Sequence, residues 1–307
     1  MDYTLVFVQT LNGLQLGLLL FLVASGLTLV FGILDFVNLA HGSIYMIGAF
    51  ICASLTLWLG NFLLAVVVAL PLTGVVGYAI ERLVARNLYE KDHLDHVLGT
   101  FGLILVLDTL AHLIWGPAGI TVPLPAWLDG QVELFSGVVI PTFRLLIIVI
   151  GLLVAGALLW LVNHTRLGML IRAGAANRTM VSALGIDIKT LFALVFALGA
   201  MLAGLAGMLI SPIVGANIGM GGQIIITAFV VIIIGGIGSM KGAFISALLI
   251  GMVDTLGRSF LDDLFQLVIG EDAAETAAPA VSAMMIYILM AVVLALRPQG
   301  LFPPKVR

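Results

Sequence analysis

The sequence holds a single cysteine in 307 residues. Cys52 stands inside an apolar run, so the chain cannot close a disulfide on itself, and the thiol reads as a small packing group. Charge is also scarce: 9% of residues are Asp, Glu, Lys or Arg, with 13 basic against 16 acidic and a formal net charge of −3. That balance carries no message about nucleic acid, because the basic residues are spread over several connections. Strict apolar/polar alternation is missing, which excludes the strands of an outer-membrane-type barrel. Catalytic motifs are missing too: there is no G-x-S-x-G elbow, no H-E-x-x-H and no C-x-x-C. The cluster Gly235-Gly-Ile-Gly-Ser-Met-Lys-Gly242 lacks the G-x-x-x-x-G-K-[ST] spacing and follows an apolar run rather than a strand, so it is no phosphate loop.

What the chain has in excess is apolar surface, 62% of residues, with a mean hydropathy of +1.24. Those values describe an integral membrane protein. A helix needs about 20 apolar residues to cross the hydrocarbon, and backbone groups in lipid must be satisfied within the segment. Apolar runs lie near 11–33, 43–59, 62–80, 97–115, 143–163, 190–211, 223–240, 243–260 and 280–296. The expected fold is all-α and polytopic, with eight to nine transmembrane helices, some segments broken or re-entrant, and one transmembrane domain over 1–307. Pro71, inside the third run, predicts a kink.

Lys and Arg accumulate in short cytoplasmic loops. Arg82, Arg86 and Lys91 share one connection, Arg166, Arg172, Arg178 and Lys189 another, Lys241 a third, and Arg297, Lys305 and Arg307 the tail. Nine spans with the N-terminus outside bring all four to one side. Asp129 and Glu133, then Asp262, Asp263, Glu271, Asp272 and Glu275, fall in the opposite loops, expected at about 116–142 and 261–279; Arg144 and Arg258 are the exceptions. The start, Met-Asp-Tyr-Thr, lacks a positive n-region, so no cleaved signal peptide is expected.

The loop at about 164–189 is a polar island between apolar runs. Asn177 can cap a helix that Gly185 can end, leaving about two turns. Met180, Val181 and Leu184 give that short helix an apolar face, flanked by Arg178 and Asp187. Two turns are marginal alone in water, so the helix fits docking on a partner, or an ordinary interfacial loop.

Polar groups at membrane depth are costly and point to function. Asp35, Asn38 and His41 recur every three residues and would share a helical face bracketed by Gly32 and Gly42. Asp108 can pair with His112, and Asp254 with Arg258, each four apart. A second interrupted stretch, Ser211 to Gln223, holds Pro212, Asn217 and several glycines and should not continue as a helix. Two broken segments in different halves of a transporter point to its substrate path, here through Asp35, Asn38, His41, Asn217 and Gln223. The alternative is a cytoplasmic turn and an extracellular loop. The pairs Gly13/Gly17, Ala200/Gly204 and Ala203/Gly207 suit helix packing. His93 and His96, beside Asp92 and Asp95, read as a solvated cluster rather than a metal site.

Four segments in order resemble the permease of the branched-chain amino acid ABC importers, the Liv-type H subunit. They are Gly32-Ile-Leu-Asp-Phe-Val-Asn-Leu-Ala-His-Gly42 with Met46-Ile-Gly-Ala49; Arg172 to Ile186; Ala228-Phe-Val-Val-Ile-Ile-Ile-Gly-Gly-Ile-Gly-Ser239 with Gly242-Ala243; and Arg297-Pro-Gln-Gly-Leu-Phe302. The resemblance implies an importer subunit in a bacterial inner membrane, N-terminus periplasmic and C-terminus cytoplasmic. It implies a coupling helix at Asn177 to Ile186, with Arg172, Arg178, Met180, Val181, Leu184, Gly185 and Ile186 as ATPase-coupling residues. The implied partners are two ABC ATPase subunits, a second permease in a heterodimer, and a periplasmic binding protein. ATP and Mg belong to the ATPases, and no cofactor is implied in this chain. Related permeases serve branched-chain amino acids, urea, short amides or aromatic acids, and the sequence leaves these open. Two rivals remain: an ion-coupled secondary transporter using Asp35, Asp108 or Asp254, and an intramembrane enzyme built on Asp35, His41 and Ser43.

Overall fold

The computed structural model describes residues 3–135 and 138–303, and the side chains at 134, 135, 268, 269, 271 and 272 fall outside the described set. Of the residues used above, Met1, Asp2, Lys305, Arg307 and the side chains of Glu271 and Asp272 lie outside the described residues.

The elements in order are α1 (Tyr3–Leu34), α2 (His41–Leu59), α3 (Phe62–Leu83), a 3-10 turn (Ala85–Asn87), α4 (His93–Trp115), β1 (Gln131–Phe135) and β2 (Val138–Pro141). There follow α5 (Thr142–His164), α6 (Arg166–Ala176), α7 (Arg178–Ala183), α8 (Ile188–Val214), α9 (Met220–Gly235), α10 (Met240–Ile269) and α11 (Glu271–Leu296). Among the described residues, eight helices are long and apolar enough to cross a membrane. The ninth, α9, has 16 residues. At 1.5 Å per residue it reaches about 24 Å, short of the hydrocarbon thickness of about 30 Å.

Polar side chains start several of these helices. Asn61 accepts from Leu64 N at 3.1 Å to cap α3, Thr165 from Gly168 N at 3.1 Å for α6, and Ser239 from Gly242 N at 3.1 Å for α10. Asp187 caps α8 through Lys189 N at 3.0 Å and Thr190 N at 3.3 Å. These hydrogen bonds, led by those from Thr190, hold the exposed Asp187 carboxyl below the usual carboxylate range. Pro71 sits within α3 without ending it. The stretch 261–279, expected as an open loop, is helical except at Gly270. Its alanines are strong helix formers, so α10 and α11 extend past their apolar cores. In the 116–142 loop, β1 and β2 form an antiparallel hairpin with a bulge between Glu133 and Phe135.

The chain divides into two compact units. The first comprises 1–21, 126–152 and 230–307. In it α10 and α11 pack together, and Gly13 and Gly17 let α1 approach α10. A Cβ on Gly13 would lie 2.9 Å from Met252 Sδ, and one on Gly17 would lie 2.8 Å from Leu248 Cα. Phe21 meets Phe244 edge-on at 5.1 Å, and Arg144 donates to the Asn12 side chain. The tail is tied back by Leu301 N to the Ile234 carbonyl at 2.8 Å and Phe302 N to the Gly235 carbonyl at 3.0 Å.

The second unit comprises 22–125 and 153–229. Its core is α2, α3 and α8, joined through small residues: Gly48 on Gly204, Gly207 on Tyr45, Gly77 on Ala200. Where lipid tails are as apolar as the side chains, close backbone approach of this kind drives helix association. The expected role of Ala200, Gly204 and Gly207 in packing is met inside this unit.

Candidate functional site

The path candidates lie in the second unit. Helix α1 ends at Leu34, and residues 35–38 have no helical structure. The shared helical face expected for Asp35, Asn38 and His41 therefore does not form. Asp35 carries a positive φ of 49°, unusual for a residue with a side chain, and this turns the chain out of α1. Beyond it the segment doubles back, because His41 Nε2 donates to the Val23 carbonyl at 3.1 Å. Val23 is about three turns before the end of α1, so the segment climbs about 16 Å along it.

Asp35 is exposed, whereas Asn38 and His41 are each 1% exposed. Neither amide atom of the Asn38 side chain has a partner among the described residues. A buried polar group left unpaired costs about 1–3 kcal/mol. Such groups are rare in folded proteins and call for a reason.

The second interrupted stretch begins later than expected. α8 continues through Pro212 to Val214. Proline removes the N–H that would have reached the Met208 carbonyl, and the Ser211 hydroxyl fills that role at 2.9 Å. The break falls at 215–219, bounded by Gly215 (φ 78°) and Gly219 (φ 87°). Here Ala216 pairs with Ile120 through backbone bonds of 2.8 and 2.9 Å. Asn217 is exposed and donates to the Val214 carbonyl at 2.8 Å; Gln223 is exposed in the first turn of α9.

The two breaks lead to one point. A Cβ on Gly42 would overlap the Gly221 carbonyl, and one on Gly221 would overlap that of Gly42. The N-terminal turns of α2 and α9 thus touch backbone to backbone, at the level of His41. Of the five path candidates, His41 directly precedes Gly42 and Gln223 lies two residues beyond Gly221 on α9, while Asp35 starts the first break, Asn38 stands within it, and Asn217 is in the middle of the second. The triad of the enzyme rival does not assemble. Ser43 Oγ donates to Asp108 at 3.2 Å and His41 turns to Val23, while Asp35 is remote on the surface. Asp108 takes Ser43 rather than His112 as its partner, whereas Asp254 and Arg258 pair as expected at 2.9 Å.

The polar island folds as α6 and α7. Arg172 is exposed and donates to the Val162 carbonyl. Asn177 caps α7 by accepting from Met180 N at 2.9 Å, and Gly185 takes the left-handed turn (φ 82°) that closes it. Its apolar face divides. Val181 is 4% exposed and anchors α7 inside the chain, Ile186 is half-buried, and Met180 and Leu184 are 59% and 73% exposed.

Arg178 lies over the Phe192 ring at 5.5 Å, and a run of edge-on rings leads inward from there. Phe192 meets Tyr89 at 5.5 Å, and Tyr89 meets Phe36 at 5.5 Å, one residue from Asp35. Beneath the rings, Glu81 is fully buried. It accepts from Arg86 at 3.0 and 3.2 Å and from the Tyr89 hydroxyl at 3.3 Å, while Arg86 also reaches the Lys189 carbonyl at 3.5 Å. Burial, and then the charge of Glu81, push the Tyr89 phenol up from its ordinary value. Sequence reasoning missed this group, although Glu81 at the end of an apolar run with Arg86 five residues on was a visible signal. Asp35 and Arg178 line one cavity of about 170 Å³.

The family described as "Branched-chain amino acid transport system / permease component" matches residues 9–294. The high-affinity branched-chain amino acid transport system permease protein BraD of Pseudomonas aeruginosa is 33% identical over 273 residues, 85% of this chain and 89% of BraD. The corresponding LivH of Escherichia coli K12 is 32% identical over 284 residues, 85% of this chain and 89% of LivH. No solved structure matches the chain. A match across nearly the whole length, on a polytopic helical fold with two interrupted helices, means that the chain belongs to the branched-chain amino acid transport system permease family.

Proposed function

We propose that this chain is the membrane-spanning subunit of an ATP-driven importer for branched-chain or closely related amino acids. A periplasmic binding protein delivers the substrate, and two ABC ATPase subunits, using ATP and Mg, drive its passage. A second, different permease completes the pathway. The family match over residues 9–294 carries this reading. The chain itself carries out no catalysis; hydrolysis belongs to the ATPases.

In this reading α9 and the 215–219 break before it together complete a ninth crossing, so the N-terminus is periplasmic and the C-terminus cytoplasmic in a bacterial inner membrane, and α7 faces the ATPases. Met180 and Leu184 are the groups that enter an ATPase cleft, because a solvent-exposed apolar pair on a capped helix favours burial in a partner. Arg172, Arg178 and Gly185 hold the loop's shape, and Val181 and Ile186 hold it to the chain. Movement of α7 passes through Phe192, Tyr89 and Phe36 to the α1–α2 break. Asn38 and His41 then line the path at the α2–α9 crossing, with Asp35 at its inner mouth and Asn217 and Gln223 toward the outer one. Half-helix N-termini offer free N–H groups and positive dipole ends, which suit the carboxylate of an amino acid.

The test is a mild-detergent pull-down of the tagged chain from its native membrane, with mass spectrometry of everything retained. ABC ATPase subunits and a second permease are expected. A lone or self-associated chain overturns the proposal.

A further inference from the structure

The cavity beside α7 has an unusual wall. It presents two cations, Lys91 and Arg178, and two carboxylates, Asp35 and Asp92. Among the described residues none of these four is in an ion pair; the pairs are Glu81 with Arg86 and Asp254 with Arg258. Opposite charges around one space that do not neutralise one another leave both signs free for a ligand. Asp92 stands at the N-cap position of α4 without capping it, so its carboxylate has no structural duty there. Arg178 is held by its contact over Phe192. His96 donates from Nε2 to the Leu88 carbonyl at 2.8 Å, and its Nδ1 is buried without a partner among the described residues.

These groups favour one class of ligand. A simple anion would meet Asp35 and Asp92, and a simple cation would meet Lys91 and Arg178. A volume of about 170 Å³ lies below the range of about 300–1,000 Å³ typical of drug-sized ligands, which favours a small metabolite over a nucleotide. We propose that the cavity binds a small zwitterionic amino acid from the cytoplasmic face, its carboxylate at Arg178 and Lys91 and its ammonium at Asp35 and Asp92. The site rests on the proposed function for its sidedness and for the choice of amino acid. Its occupant bridges α7 to the α1–α2 break, so product accumulating inside holds the two together and slows the transport cycle.

The experiment is equilibrium dialysis of radiolabelled L-leucine against the complete, purified membrane complex without its binding protein. Saturable binding is expected, displaced by L-valine but not by 4-methylpentanoate or 3-methylbutylamine, which each lack one charge. Asp92→Asn and Lys91→Gln, both at exposed positions, are each expected to weaken binding at least tenfold while the complex elutes unchanged on gel filtration. Absent saturable binding at millimolar L-leucine, equal displacement by the single-charge analogues, or unchanged affinity in both variants overturns the site. A parallel assay of ATP-driven leucine import separates the two proposals. Import without saturable binding refutes the cavity site alone, whereas no import of any branched-chain amino acid by the assembled complex refutes the transport function.

Discussion

Gly42 and Gly221 touch backbone to backbone, each occupying the space a Cβ on the other would need. Neither contact can yield by rotating a side chain, since the opposing atoms are carbonyl groups. Gly42→Ala should therefore cost about 1–3 kcal/mol, the usual range for overpacking, and should force α2 and α9 apart. Thermal melting of the purified complex checks this. Gly102→Ala, inside α4 at a position facing open space, should instead hold the melting temperature or raise it slightly, since alanine is the better helix former.

Asn38 separates a path role from a structural one. Replacing a buried amide that has no partner by an apolar group of similar size removes a desolvation penalty. Asn38→Leu should leave the melting temperature unchanged or raise it, while amino-acid import falls at least tenfold. Lower stability with normal import would mean that Asn38 serves the fold.

How much of this was legible in the sequence depended on the reach of each signal. Long apolar runs and local caps are written within a few residues, so the spans and the Asn177 cap on α7 could be read directly. The crossing of Gly42 and Gly221 joins residues far apart in the chain, and no periodicity encodes it. Spacing alone made Asp35, Asn38 and His41 a helical face, but the positive φ at Asp35 ends α1 first. Pro212 misled in the opposite direction, because the Ser211 hydroxyl takes over the carbonyl that proline frees. Asp108 had a partner four residues away in the sequence, yet the fold supplies Ser43 instead.

Glu81 is wholly buried, and Arg86 is its ion-pair partner. Arg86→Ala would leave that carboxylate with the Tyr89 hydroxyl alone. Loss of one member of a buried pair costs about 3–5 kcal/mol, and the partial exposure of Arg86 puts the expected loss at the low end, about 3 kcal/mol. Arg86→Lys should recover part of it. Denaturant or thermal unfolding of the purified complex measures both.

Tyr89 gives an alkaline signature. Its folded pKa is raised, so the stability it contributes is fully present below the unfolded value of about 10 and is lost as pH rises from there toward the folded pKa. The melting temperature should fall above about pH 10, and Tyr89→Phe should flatten that fall. An identical alkaline limb in the variant would show that Tyr89 is not its source.

The most direct test of the account is leucine uptake into proteoliposomes holding the full complex, with and without enclosed ATP, for the wild type and for Met180→Asp with Leu184→Asp. Uptake should require ATP and the binding protein, and the double variant should abolish it by putting charge on the exposed apolar pair of α7. Uptake that persists without ATP and collapses on addition of an uncoupler, or that survives the double substitution, would contradict it.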